Sequence, residues 1–401
     1  MTSKQMESPE LVTDQQRLET LCRDWRAAGR FAFDTEFIRD DTYDAQLCLI
    51  QVTLNGEVVL VDPTAGLDLD PFWGLVTDPA VLTIIHAGKE DFEVCLRAVG
   101  APPRNVFDVQ IAAGFVGLGY PLSLTRLVST IARRRISKGQ TLTDWLRRPL
   151  TEAQIRYAVE DVTYLPGIYE HLRKRLDESG RAAWVAEEFA LLEKPETYQR
   201  QVKQRLFKLK GSRKLDGLGL AILERLIDWR DEWAKARNRP TRALIRDDVL
   251  VSIAKRRPQK AADLEVLRGF PQSHKSKIVR ELLSVIKDGM SITQDKQPVP
   301  YQPRDESPMM KAVQSILSAY LRAVCHEEYI GHDLVGSTQR LNELTDYLVG
   351  ESKTRPLLLT GWREKFIGRR LVDLLEGRSE LHLSGWPKDL RLNVVSHPVE
   401  D

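Results

Sequence analysis

The chain has 401 residues, 42% of them hydrophobic, and a formal charge of +2, which is more length than one hydrophobic core serves, so two or three domains are expected. No apolar run reaches the roughly eighteen residues of a membrane span, and the opening MTSKQMESPELVTDQQ lacks the basic-then-apolar pattern of a signal peptide. Cys22, Cys48, Cys95 and Cys325 are scattered with no C-x-x-C pair, which argues against a disulfide framework or a zinc site and fits a reducing cytoplasm, the expected location.

A helix is expected over 11–29, then strands near 30–37, 46–54 and 57–62, the last two joined by Asn55-Gly56, the strongest short hairpin signal. Helix and strand then alternate: PFWGLV, the strand VLTIIHA, a helix over 89–99, the strand VFD, and helices after 109. A strand meander followed by alternating strands and helices predicts a mixed α/β sheet. From about 150 onward the periodicity is helical. LTEAQIRYAVEDVTYLPGIYEHLRKRL reads as a long amphipathic helix capped by Thr151 and kinked or divided at Pro166. Residues 291–307, rich in Pro and polar side chains, read as a linker before a second helical block over 308–390.

The net charge hides an asymmetry. Residues 1–200 carry 23 Lys+Arg against 30 Asp+Glu, residues 201–290 carry 22 against 11, and residues 291–401 carry 14 against 16. A basic middle segment beside an acidic first half suggests a polyanion gripped by one module and processed by another.

In FDTEF, Asp34 and Glu36 point the same way along a strand, roughly 7 Å apart. Read plainly, this is a strand end with a solvated acidic edge. Other acids argue for more. Asp91 falls in the first turns of the helix after VLTIIHA, Asp108 ends the VFD strand, and Tyr157 and Asp161 share a helix face at i and i+4. Several carboxylates with no Cys or His set select hard divalent cations, Mg²⁺ or Mn²⁺. Two such ions about 4 Å apart can activate a water and stabilise the leaving oxygen of a phosphodiester. Cations between Asp34 and Glu36 would let both acids stay charged.

FDTEF, the Asp91 segment and the Tyr157-x-x-x-Asp161 pair resemble the three motifs of the DEDD superfamily of 3′→5′ exonucleases, and TDWLRRPLTEAQIRYAVEDVTYL resembles the ribonuclease D family, over residues 12–200. The resemblance implies an RNase H-like fold, with Asp34, Glu36, Asp91 and Asp161 as ligands for two divalent metal ions. It also implies that Tyr157 orients or helps deprotonate the attacking water. Position 156 is Arg156, where the other branch of the superfamily carries histidine, which puts the chain in the tyrosine branch. The implied activity is metal-dependent 3′→5′ exoribonuclease hydrolysis from a free 3′ end, releasing nucleoside 5′-monophosphates. The implied role is trimming the 3′ ends of structured RNAs such as tRNA precursors.

KGSRKLDGLGLAILERLIDWRDEWA and RDDVLVSIAKRRP resemble the HRDC domain, a helical module of helicases and ribonuclease D. Its excess positive charge fits phosphate contacts. Lys208, Lys210, Arg213, Lys214, Arg256 and Arg257 are candidate RNA-binding residues as a cluster, although any one of them alone reads better as solvated surface. Residues 308–390 resemble a second HRDC-type domain, whose net charge favours packing against the rest of the chain over gripping RNA. The expected organisation is an exonuclease domain over 1–204, an HRDC domain over 205–292, a linker over 293–307 and a second HRDC-like domain over 308–401. The fold class is thus an α/β RNase H-like domain, a mixed sheet flanked by helices, followed by two all-α HRDC-type domains. The expected partner is RNA, with no membrane, no nucleotide cofactor and a monomeric chain.

Plainer roles remain for other residues. His86 reads as a structural histidine, Asp108 as a helix N-cap or a support for the site, Trp145 as a packed side chain, and Arg133-Arg134-Arg135 with Lys138 as a solvated face or a substrate-channel lining. A DNA 3′→5′ exonuclease on the same fold and a non-catalytic RNA-binding maturation factor are the alternatives. A helicase would need a G-x-x-x-x-G-K-[ST] loop, which the sequence lacks.

Overall fold

The computed structural model describes residues 9–38, 42–136, 143–198, 202–270, 276–301, 307–385, 387–388 and 391–396. Lys138 and residues 302–306 of the expected linker lie outside the described residues. The first elements are β1 (Glu10–Val12), α1 (Gln15–Ala28), β2 (Arg30–Ile38), β3 (Gln46–Leu54), β4 (Glu57–Val61), α2 (Asp70–Val76), β5 (Leu82–Ile85), α3 (Lys89–Val99), β6 (Val106–Asp108) and α4 (Val109–Gly114). Next come α5 (Leu124–Leu127), α6 (Glu152–Thr163), α7 (Leu165–Glu178) and α8 (Ala182–Leu192).

The strands form one mixed sheet in the order β1-β4-β3-β2-β5-β6. The β3–β4 hairpin turns at Asn55 (φ 53°) and Gly56 (φ 89°), the left-handed pair that a tight twisted hairpin requires. β1 pairs in parallel with β4 at the sheet edge, and three residues of strand were too short to show ahead of α1. The long helix expected from Thr151 is two helices. Thr151 and Gln154 cap α6 reciprocally, and the chain breaks at Tyr164, with Pro166 in the first turn of α7, where a missing N–H costs nothing.

The second part of the chain contributes α9 (Val202–Lys208), α10 (Gly217–Ala236), α11 (Asp247–Arg256), α12 (Ala261–Glu265) and α13 (Ser276–Met290). The third contributes α14 (Pro308–Glu327), α15 (His332–Val335), α16 (Thr338–Leu348), α17 (Gly361–Arg363) and α18 (Arg369–Leu375). A hairpin of β7 (Ser379–Ser384) and β8 (Arg391–Ser396) is added to this helical block; its strands are short and mostly exposed, so no apolar pattern announces them.

Two compact units result. One contains residues 1–36, 48–198 and 305–401; the other contains 37–47 and 199–304. In the first, one core runs from Ala32, Ile84, Val162 and Leu165 through Phe189 to Leu317, Tyr320, Leu344, Trp362 and Leu371. In the second, α10, α11 and α13 pack around Leu223, Leu226, Leu250, Ile253, Leu282 and Ile286. Among the described residues no helix is long and apolar enough to cross a membrane.

The first unit is pinned by a buried ion pair. Arg363 (3% exposed) donates to both oxygens of Glu188 (9% exposed) at 2.6 and 2.9 Å, and Trp362 Nε1 donates to Glu188 at 2.7 Å. Trp362 also stacks on Trp184 and meets Phe115 edge-on. Arg363→Met leaves Glu188 buried without its partner and is expected to destabilise the unit by about 3–5 kcal/mol in urea unfolding. Adding Glu188→Gln to that variant should recover part of the loss.

Candidate active site

β2 sets the first two acids. Phe31 and Phe33 bury themselves against Trp25, Phe72 and Phe92, so strand alternation turns Ala32, Asp34 and Glu36 to the opposite face. Thr35, between the acids, is buried and donates its hydroxyl hydrogen bond to Asp91 on α3. The third segment is α6, where Asp161 is buried and carries a side-chain hydrogen bond from Tyr157. Asp34 and Glu36 are half-buried, and Asp91 is buried.

The electrostatics bind these segments into one site. Burial pushes the Asp34 carboxyl well above its ordinary range, and the charges of Asp91, Asp161 and Glu36 push it further. Glu36 is raised to about 8 by burial and then by Asp161 and Asp91. Asp161 is raised to about 7, again first by burial, with the Tyr157 hydrogen bond opposing. Asp91 is raised to about 6 by burial, against the pull of the Thr35 hydrogen bond. Like charges gathered in a low-dielectric place resist ionising together, and a cation among them removes that resistance.

Among the described residues, no three or more His, Cys, Asp or Glu side chains stand as a ready-made metal cage. The fit to a metal therefore rests on donor chemistry. Four carboxylates are hard oxygen donors, which suits Mg²⁺ or Mn²⁺ rather than zinc.

The neighbouring residues support this arrangement. Asp108 is buried and caps α4, accepting from the Gln110 N–H at 2.8 Å. It also accepts from Ala87 N–H and Gly88 N–H, both at 3.1 Å, and so holds the turn that launches α3 and its Asp91. That turn is demanding. Ala87 sits at φ 57°, and a Cβ on Gly88 would strike Ile85. His86 bonds through Nε2 to the Leu122 carbonyl at 2.9 Å, a structural role. Trp145 is buried, its ring 6.1 Å from that of Tyr157. Arg148 clamps this segment to the sheet, bonding Asp62 at 2.5 and 2.6 Å and the Cys48 carbonyl at 2.8 Å. Burial alone would raise Asp62, but the Arg148 hydrogen bonds hold it below its ordinary value.

In the second unit the six candidate cations part company. Lys208 and Lys210 line a cleft of about 720 Å³ together with Arg242 and Arg246. Arg257 is paired with Asp216, and Arg213 lies over the Tyr301 ring at 4.7 Å. Lys214 and Arg256 are exposed but do not line that cleft. Arg242 and Arg246 gave no signal in the sequence because isolated arginines beside Asp247 and Asp248 look like ordinary surface. Only the fold gathers them at the start of α11. Asp247 is neutralised in part by Arg230 at 2.7 Å, and Asp248 by Arg246 at 3.2 Å.

A 3′-5′ exonuclease family model matches residues 9–177, and an HRDC domain model matches residues 219–286. Ribonuclease D of Bartonella henselae is 32% identical over 93% of this chain and 92% of its own, and that of Granulibacter bethesdensis is 34% identical over 94% and 95%. The crystal structure of Escherichia coli RNase D, described as an exoribonuclease involved in structured RNA processing, superposes with a TM-score of 0.81 at 28% identity, covering 92% of this chain and 99% of that one. The catalytic core of RRP6 from Trypanosoma brucei, at 22% identity and a TM-score of 0.55, shares the fold. The DEDD-type exonuclease family suggests dependence on a divalent metal, and the HRDC domain suggests binding of RNA. With relatives this similar along nearly its whole length, the chain belongs to the ribonuclease D family and is a 3′→5′ exoribonuclease.

Proposed function

We propose that the chain trims the 3′ ends of structured RNAs, tRNA precursors among them, releasing nucleoside 5′-monophosphates by two-metal hydrolysis. The observation that carries this reading is the tie between three segments: Thr35, between Asp34 and Glu36 on β2, donates to Asp91 on α3, and Tyr157 donates to Asp161 on α6, with the charges of Asp91 and Asp161 weighing on Asp34 and Glu36. Those four carboxylates would hold the ions. When bound, Mg²⁺ or Mn²⁺ supplies a positive field that favours hydroxide over water and stabilises charge on the leaving oxygen.

The rest of the chemistry belongs to side chains. Tyr157 orients the attacking water through its hydroxyl and assists removal of the proton. Water attacks the terminal phosphorus, the bond to the 3′ oxygen breaks, and that oxygen leaves with a proton. Thr35 and Asp108 keep Asp91 in place from two sides. The HRDC unit supplies the phosphate grip through the cleft of Lys208, Lys210, Arg242 and Arg246. Phosphate contacts there set register on the strand and leave base identity unread.

Incubation of 3′-extended tRNA and matched single-stranded DNA, with and without Mg²⁺, tests the reading directly. The expected result is stepwise loss of nucleoside 5′-monophosphates from the RNA, and only with metal. Equal degradation of the DNA would overturn the substrate assignment. Asp34→Asn is expected to abolish turnover while RNA binding, measured by fluorescence anisotropy, stays close to wild type. Tyr157→Phe should lower kcat by about a hundredfold or more with the metal requirement unchanged. Lys208→Ala with Lys210→Ala should weaken RNA binding uniformly across sequences. It should also flatten the dependence of log affinity on log salt by about 0.7 for each phosphate that is no longer neutralised.

A further inference from the structure

Tyr301 falls in the stretch whose composition reads as a linker, yet it packs within the second unit. The stretch lies tight against the start of α10: a Cβ on Gly217 would meet the Gln297 side-chain oxygen at 2.9 Å and the Pro298 carbonyl at 3.3 Å. Gln297 in turn donates to the Ile292 carbonyl at 3.0 Å. The Tyr301 ring stands 6.1 Å from that of Phe207 on α9 and stays 39% exposed, with Val299 beside it in the chain 73% exposed. Exposed apolar surface of this kind, set among cations, marks a place for a ligand with a flat apolar face.

Arg213 covers this ring. Its guanidinium lies 4.7 Å from the Tyr301 ring centre, and the side chain is exposed. Arg205, Arg230, Arg246 and Arg257 of the same unit are each held by a carboxylate, whereas among the described residues Arg213 is paired with none. An aromatic ring, not a counter-charge, sets the plane of this arginine. A planar guanidinium has two faces, and the ring takes one of them.

The same short turn bears the phosphate grip. Ser212 N–H donates to the Leu209 carbonyl at 3.1 Å and Lys214 N–H to that of Gly211 at 3.2 Å, with Gly211 at φ 94°. Lys208 and Lys210, at the entry to this turn, line the basic cleft, and Arg213 leaves it onto Tyr301. Cations suited to phosphates therefore stand within a few residues of a planar cation on an aromatic support. Single-stranded nucleic acid calls for that combination of a charged track and a stacking surface. A duplex keeps its bases stacked on one another and has no free base face to offer.

We propose that Arg213, carried on the Tyr301 ring, is a stacking site for one unpaired nucleobase, so that the second unit takes hold of a single-stranded stretch of RNA. The inference deepens the phosphate-grip reading of the Lys208 and Lys210 cleft given above and rests on it.

The test uses the full-length chain without added metal, so that nothing is cut. Fluorescence anisotropy follows the binding of an oligoadenylate of about twelve nucleotides, of the same strand annealed to its complement, and of a strand of that length carrying abasic riboses. Tyr301→Ala should weaken single-strand binding about tenfold, the scale of one lost base stack, with an unchanged salt slope because no phosphate contact goes. Arg213→Lys keeps the charge without the planar face and should do the same. It carries the test if Tyr301→Ala folds poorly. Tyr301→Phe, which keeps the ring, should bind as the wild type does. All of these proteins should hold the duplex equally, and the wild type should hold the abasic strand no better than Tyr301→Ala holds the intact one. Wild-type single-strand affinity in Arg213→Lys would overturn the stacking site, as would a loss in Tyr301→Ala that is equally large on the duplex. If Lys208→Ala with Lys210→Ala leaves affinity and salt slope untouched, the phosphate grip fails and the stacking site with it. If that variant weakens binding while Tyr301→Ala does not, the stacking site alone fails.

Discussion

Everything in the first unit is arranged around a repulsion. Burial disfavours the charged forms of Asp34, Glu36, Asp91 and Asp161, and the charges of Asp91 and Asp161 weigh further on Asp34 and Glu36. No such gathering survives in a structure unless the scaffold forces it. The force comes from elements that could not easily sit elsewhere: the phenylalanine-packed face of β2, the Asp108-held turn before α3, and the reciprocal cap that starts α6. The energy of ordinary packing holds these acids where burial resists their ionisation, a resistance that a cation would lower.

The geometry of support is as telling as that of the acids. Asp91 is approached from β2 by Thr35, and its helix is approached from β6 by Asp108. Arg148 ties the segment bearing Trp145 to the sheet through Cys48 of β3 and Asp62, just past β4. Each acid therefore sits on a rigid element whose own position is fixed by a second contact, the condition for holding charged groups in a productive arrangement.

Much of this could be read from the chain. The two-residue spacing in FDTEF and the four-residue spacing of Tyr157 and Asp161 carry their geometry with them, because strand and helix periods are fixed. Asn55-Gly56 likewise announces its hairpin. Other features were illegible for physical reasons. β1 is too short for a period to show, and β7 and β8 bury too little. An amphipathic helix advertises that it has a face to cover but not what covers it. Hence the charge of residues 308–390 pointed to packing against the rest of the chain, but not to Leu317, Tyr320 and Trp362 closing over the same core as Ala32 and Val162.

That shared core has a temporal consequence. A ribosome delivers the β-sheet and all four acids long before α14 to α18 leave the exit tunnel. Until they do, Phe115, Trp184 and Glu188 lack the Trp362 and Arg363 that cover and neutralise them. The core of that half is thus completed only by the last quarter of translation, and until then an unfinished polypeptide exposes apolar surface and an unneutralised Glu188.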